Sequence, residues 1–139
     1  MNIDFQKIRA EAAQYKLSGR ELLEERTDEQ LAEICNGIGA QWLDRLKIGG
    51  TTLSDYINRL WPSWVVVACI HDIRYSVGGT EADRKAADEE FRDNCDLITS
   101  AKYSILNWRH WRDIWEARTV YRVLRAGGKP AFNYKEEPQ

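Results

Sequence analysis

Residues 62–98 read PSWVVVACIHDIRYSVGGTEADRKAADEEFRDNCDLI, and the parsing of this stretch decides the fold. Proline suits the first turn of a helix, where its missing N–H is no loss, so a helix is expected to start near Pro62. The run Val65-Val66-Val67 fits a strand equally well, but the apolar pattern continuing to Tyr75 favours a buried helix over 62–77, stopped by Gly78-Gly79. Thr80 then stands as N-cap with Asp83 at the position that closes a capping box, which predicts a helix over 80–98. Joined by so short a turn, the two helices are expected to run antiparallel.

Working outward, Ile3, Ile8, Ala12, Ala13 and Tyr15 fall near one face of a helix over 3–18 that ends at Ser18-Gly19. Thr27 and Gln30 have capping-box spacing, so a further helix is expected from Thr27 or Asp28 to Cys35, followed by the loop Asn36-Gly37-Ile38-Gly39. Residues 42–60 suggest two short helices, one around Trp42, Leu43 and Leu46 and another over Thr52 to Leu60, broken at Gly49-Gly50. Downstream, a helix over 101–125 stops at Gly127-Gly128, with Pro130 beyond and an irregular tail, AFNYKEEPQ. No strand is predicted. The reading is one all-α domain over 1–139, with a core at 35–98 and a C-terminal helix at 101–125.

A chain of 139 residues is long enough to bury roughly two-thirds of its unfolded surface and needs no covalent staple. Its three cysteines, Cys35, Cys69 and Cys95, are odd in number and irregularly spaced, and are read as buried thiols of a reducing compartment. The start MNIDFQKIRAEAAQY shows no secretory signal, and the longest apolar run, Trp64 to Ile70, is far short of the ~20 residues of a membrane span. Synthesis in the cytoplasm and no transmembrane segment are the expectations. Net charge is −2, yet residues 101–139 hold 8 basic and 4 acidic side chains against 12 and 18 in residues 1–100. Such a basic segment can meet phosphates or anionic headgroups, or simply be a solvated helix face.

The chemistry centres on His71-Asp72-Ile73-Arg74-Tyr75. On a helix, adjacent His and Asp side chains point about 100° apart, while Tyr75 returns to the histidine's side one turn later. By itself the dipeptide reads equally as a satisfied core histidine. Asp88, Phe91, Cys95 and Ile98 form one stripe of the next helix, which puts a carboxylate on an apolar face. Burying that charge is costly without a partner, and an imidazole or a tyrosine hydroxyl is suited to the part. Asp83 and Asp93 lie about 140° round the helix from Asp88, and Asp83 has its capping role. Asp88 is therefore the better candidate to hold His71 in one tautomer. Upstream, Gly37 and Gly39 free the backbone to turn carbonyls inward, the kind of ligand calcium takes, although an ordinary αL helix cap at Gly37 is the competing reading.

The order of these motifs, a Gly-x-Gly loop, His-Asp-x-x-Tyr on a helix and an aspartate on the antiparallel helix, resembles secreted phospholipase A2. It is most similar to the disulfide-free relatives of that family, the phospholipase domains of parvovirus capsid proteins and phage or prophage proteins. The resemblance implies a calcium-dependent hydrolase of a phospholipid acyl ester. It assigns His71 as general base, Asp88 and Tyr75 as its partners, and Asp72 with the carbonyls of Cys35, Gly37 and Gly39 as ligands of Ca2+, with the Gly37 amide a donor to the oxyanion. The pattern Asp83-Arg84-x-Ala86-Ala87 also looks like a family motif, so the second aspartate is either Asp88 or Asp83. A virion is a setting the resemblance allows, and a non-catalytic phage or prophage protein that keeps the scaffold for assembly is the alternative function.

Trp108, Trp111 and Trp115 form one line on the last helix, and Ile114, Ala117, Tyr121 and Leu124 a second. One must pack on the core. Tryptophan at this spacing is more often core, and the remaining line, with Arg109, Arg112 and Arg118, fits a phospholipid or membrane surface or a protein partner. No nucleic acid is expected from an acidic chain. A phosphohydrolase of the HD type would need a further histidine upstream, whereas His110 lies downstream.

Overall fold

The structure, a computed structural model, describes residues 3–35, 47–48, 51–52 and 62–135. These residues form α1 (Phe5–Gln14), α2 (Arg20–Glu24), α3 (Asp28–Cys35), β1 (Lys47–Ile48), β2 (Thr51–Thr52), α4 (Val65–Val77), α5 (Glu81–Lys102) and α6 (Trp108–Gly127), with 3-10 turns at Pro62–Trp64 and Lys129–Ala131. The class is all-α, and among the described residues the exceptions are the antiparallel pairing of Lys47 with Thr52 and Ile48 with Thr51 and an isolated parallel bridge between Gly79 and Tyr134. Thr52 thus ends a strand and does not open a helix. The rest of the expected helices at 42–60 lies outside the described residues.

Two local signals read from the sequence decide helix starts. Thr27 and Gln30 exchange the reciprocal bonds of a capping box at 2.9 and 3.2 Å. Thr80 and Asp83 do the same at 2.9 and 3.3 Å. The expected helix over 3–18 stops at Gln14 instead, because Lys16 takes a left-handed φ of 54° and buried Leu17 turns inward. Gly19, at φ 86°, then starts the unforeseen α2, and a Cβ there would stand 2.7 Å from Ile70. At the other end, α5 runs on to Lys102 and α6 begins only at Trp108. Tyr103 is extended, and the Asn107 side chain caps Arg109 N at 3.0 Å, so the break expected between 98 and 101 falls at 103–107 instead.

Helix α4 is the axis of the molecule, packed by α1, α2, α3 and α5. Val66, Val67, Ile70 and Ile73 are buried along it, each contributing roughly 1.5–3 kcal/mol. Helix α5 returns antiparallel to α4, and α6 returns along α5 through Ala117, Val120 and Leu124. The expected thiols are corrected here: Cys35, at the end of α3, and Cys69 on α4 form a disulfide with a Cα–Cα distance of 5.6 Å, while Cys95 is a buried free thiol. The pairing joins positions 34 apart, a proximity created by packing α3 on α4 that spacing does not reveal.

Candidate functional site

Asp88 is fully buried and is the centre of the site. One oxygen, Oδ1, meets His71 Nε2 at 2.8 Å and accepts from the Tyr75 hydroxyl at 2.7 Å. The other, Oδ2, accepts from Arg125 at 2.8 Å and lies 3.6 Å from the Arg84 guanidinium. Burial pushes the Asp88 pKa up, but the bonds from His71, Tyr75 and Arg125 outweigh it and hold the carboxyl below its ordinary range. The same burial, with the Asp88 charge, pushes the Tyr75 phenol far up, so it donates and stays neutral.

An ionised carboxylate only accepts, so His71 Nε2 carries the proton of this bond, and a neutral ring then keeps its lone pair on Nδ1. The ring is held between Tyr75, at 4.2 Å between centroids, and the edge of Phe91 at 5.5 Å. Among the described residues no group hydrogen-bonds Nδ1. Asp83, the other candidate partner, is occupied with the Thr80 cap. The question of which aspartate meets His71 is thereby answered for Asp88.

Asp72 differs from Asp88 in every respect but burial. Its side chain is 8% exposed, and among the described residues it has neither a hydrogen bond nor an ion pair. Desolvation alone pushes its pKa well above the ordinary carboxylate range. Such a carboxylate suits a cation, which would supply the missing counter-charge. Cys35 is joined by its disulfide to Cys69, which precedes Asp72 by about one turn of α4. Gly37 and Gly39 lie outside the described residues. Among the described residues no group of three or more His, Cys, Asp or Glu side chains is placed to hold a metal. A cation here would rest on Asp72 with main-chain oxygens.

A second layer holding Asp88 went unforeseen. Arg84, buried on α5, binds Glu81 through two bonds of 2.9 and 2.8 Å and the Leu124 carbonyl at 3.3 Å. Arg125 shares Glu81 at 2.9 Å, and the Tyr134 hydroxyl bonds the same carboxylate. These donors hold Glu81 well below its ordinary pKa. Of the tail, residues 131–135 dock on the α4–α5 turn: Asn133 N bonds the Tyr75 carbonyl at 3.2 Å, Lys135 N bonds Gly79 O at 2.8 Å, and Phe132 meets the Tyr75 ring edge-on at 5.1 Å. Close approach explains two glycines. A Cβ on Gly78 would stand 1.8 Å from Asn133 O, and one on Gly128 would stand 2.5 Å from the Tyr75 hydroxyl oxygen.

Arg84 was legible as an arginine one turn before an inward aspartate, whereas Arg125 and Tyr134 lie too far along the chain to be read by periodicity. His110 is remote in role as well as sequence, with Nδ1 against the Tyr103 carbonyl at 3.1 Å. A pocket at the α4–α5 turn, lined by Arg74, Val77, Gly78, Asp83, Ala86, Ala87 and Glu90, includes neither His71 nor Asp72. No helix among the described residues is long and apolar enough to cross a membrane. No protein family, curated protein or solved structure matches this chain.

Proposed function

We propose that the chain is a calcium-dependent hydrolase of a phospholipid acyl ester, in which His71 Nδ1 takes a proton from the attacking water. One observation carries the reading: among the described residues, the His71–Asp88 bond of 2.8 Å leaves the second ring nitrogen without a partner, and the adjacent buried Asp72 has none either. Neither half alone would distinguish this site from a satisfied core histidine.

The chemistry follows from what the residues can do. Asp88 orients the imidazole through Nε2 and stabilises the imidazolium formed when Nδ1 takes the water proton, a contribution of order 10²–10⁴-fold in rate. As the tetrahedral adduct collapses, the acyl C–O bond breaks and the same proton goes to the departing alcohol oxygen. The products are a fatty acid and a lysophospholipid. Tyr75 and Arg125 keep the carboxylate ionised and in place. A divalent cation, if held beside the ester carbonyl, would supply Lewis-acid stabilisation of the oxyanion. Asp72, with the carbonyls of Cys35, Gly37 and Gly39, is the set we assign to hold it.

The test is calcium calorimetry on wild type and Asp72→Asn, paired with fatty-acid release from phospholipid micelles. Binding heat lost in the variant, and release lost on chelation, support the proposal. A wild type with no calcium heat and no release overturns it. The second reading, a non-catalytic interaction protein of phage or prophage type, is favoured by the exposed tryptophans of α6. It predicts a folded chain that binds a partner and releases nothing.

A further inference from the structure

The corner between α5 and α6 exposes more apolar surface than a solvated turn needs. Leu106 is 92% exposed, Ile105 66% and Trp108 64%, and Trp111 and Trp115 follow on the same open side of α6 at 56% and 62%. The Trp111 indole donates to the Ile105 carbonyl at 2.8 Å, which fixes the corner in shape while leaving both aliphatic side chains outside.

The corner itself, from the end of α5 to the first turn of α6, carries charge of one sign. Residues 97–112 contain no acidic side chain and three basic ones, Lys102, Arg109 and Arg112. Among the described residues Lys102 and Arg109 have no acidic partner. The acids that bracket the stretch are taken: Asp96 binds Arg118 through two bonds of 2.9 Å, and buried Asp113 accepts from Arg112 at 3.0 Å. Aliphatic tips for an acyl layer, tryptophans for the boundary and cations for headgroups are what a peripheral membrane contact requires.

We propose that this corner docks the protein on an anionic phospholipid membrane. Single-stranded nucleic acid fits less well. Both Arg109 and Arg112 lie over the Trp108 ring, each 5.1 Å from its centroid, so guanidinium groups occupy the position a stacked base would need, and Leu106 offers a base nothing. A second copy of the chain seated symmetrically would bring the same arginines face to face. The corner lies at the opposite end of α6 from Arg125, about 25 Å away along the helix, so the proposal does not rest on the esterase reading.

The experiment uses the full chain and vesicles of diether phospholipids, which have no acyl ester to hydrolyse. One set contains phosphatidylglycerol and phosphatidylcholine, the other phosphatidylcholine alone. Cosedimentation with the anionic set, a blue shift of tryptophan emission and weakening by salt are the expected results. Leu106→Asp and Arg109→Glu, both at exposed positions, are each expected to weaken partitioning about tenfold or more while far-ultraviolet dichroism stays unchanged. No binding, equal binding to both sets, or indifference to both substitutions overturns the proposal. So does a blue shift without lipid that follows protein concentration, which would indicate self-association, or preferential binding of a single-stranded oligonucleotide. Turnover of a short-chain soluble ester reads the His71 site separately, so failure of one reading is not mistaken for failure of the other.

Discussion

The two ends of α6 use the same residue types to opposite purpose. Near Arg125 the helix delivers an arginine into a network with Asp88 and Glu81, closed over by Phe132 and Tyr134. Near Trp108, arginines and aromatics of the same helix are left in the open. Amphipathic pattern alone does not separate the two, because each end carries arginines beside aromatic and aliphatic residues. What separates them is what α5 presents opposite: an inward aspartate at one end and the departing turn at the other.

The comparison breaks most visibly if Asp88 is removed. Asp88→Ala strands His71, Tyr75, Arg84 and Arg125, and is expected to cost about 3–5 kcal/mol in denaturant titration, the usual loss when a buried pair is halved. Next comes the tie between α3 and α4. Replacing Cys35 by Ala, or reducing the bond, opens a loop of 34 residues and should cost about 3–4 kcal/mol.

Asp72 has the opposite sign. Its folded pKa is raised, so the buried charge opposes folding above that pKa and the penalty is relieved as pH falls toward the unfolded value of about 4. Asp88, with a depressed pKa, contributes stability above about pH 4 that is lost below it. Without calcium, Asp72→Asn should therefore stabilise the protein at neutral pH by about 1 kcal/mol or more, and remove the decline in stability that wild type shows as pH rises from about 4. Thermal melts across pH, with and without calcium, read both effects, and only wild type should gain from the ion. The smallest effect belongs to the open end. Trp108→Ala should change stability by less than about 0.5 kcal/mol, and a larger loss would mean that the ring belongs to the core.

These contrasts also mark what could be read from the chain. Thr27 with Gln30 and Thr80 with Asp83 are local signals, and the helices begin where they say. Asp88 was legible because a carboxylate in an apolar stripe needs a partner, and the structure supplies the partners the stripe asked for. The α2 helix, the disulfide and the Arg125 contact were not legible. Each depends on positions brought together by packing: Gly19 against Ile70, Cys35 beside Cys69, and residues 37 apart at Asp88 and Arg125. Tryptophan misled for a related reason. Its usual place is the core, but on α6 the smaller Ala117, Val120 and Leu124 allow the close approach to α5, and the indoles face outward.

The central claim is that His71, oriented by Asp88, moves the proton in ester hydrolysis. Its most direct test is the rate of fatty-acid release at saturating calcium by wild type and by His71→Gln, with folding of the variant verified by its melting curve. A fall of about 10²–10⁴-fold in a folded variant is the predicted result. Equal rates from the two proteins, or no release from wild type, would contradict the account.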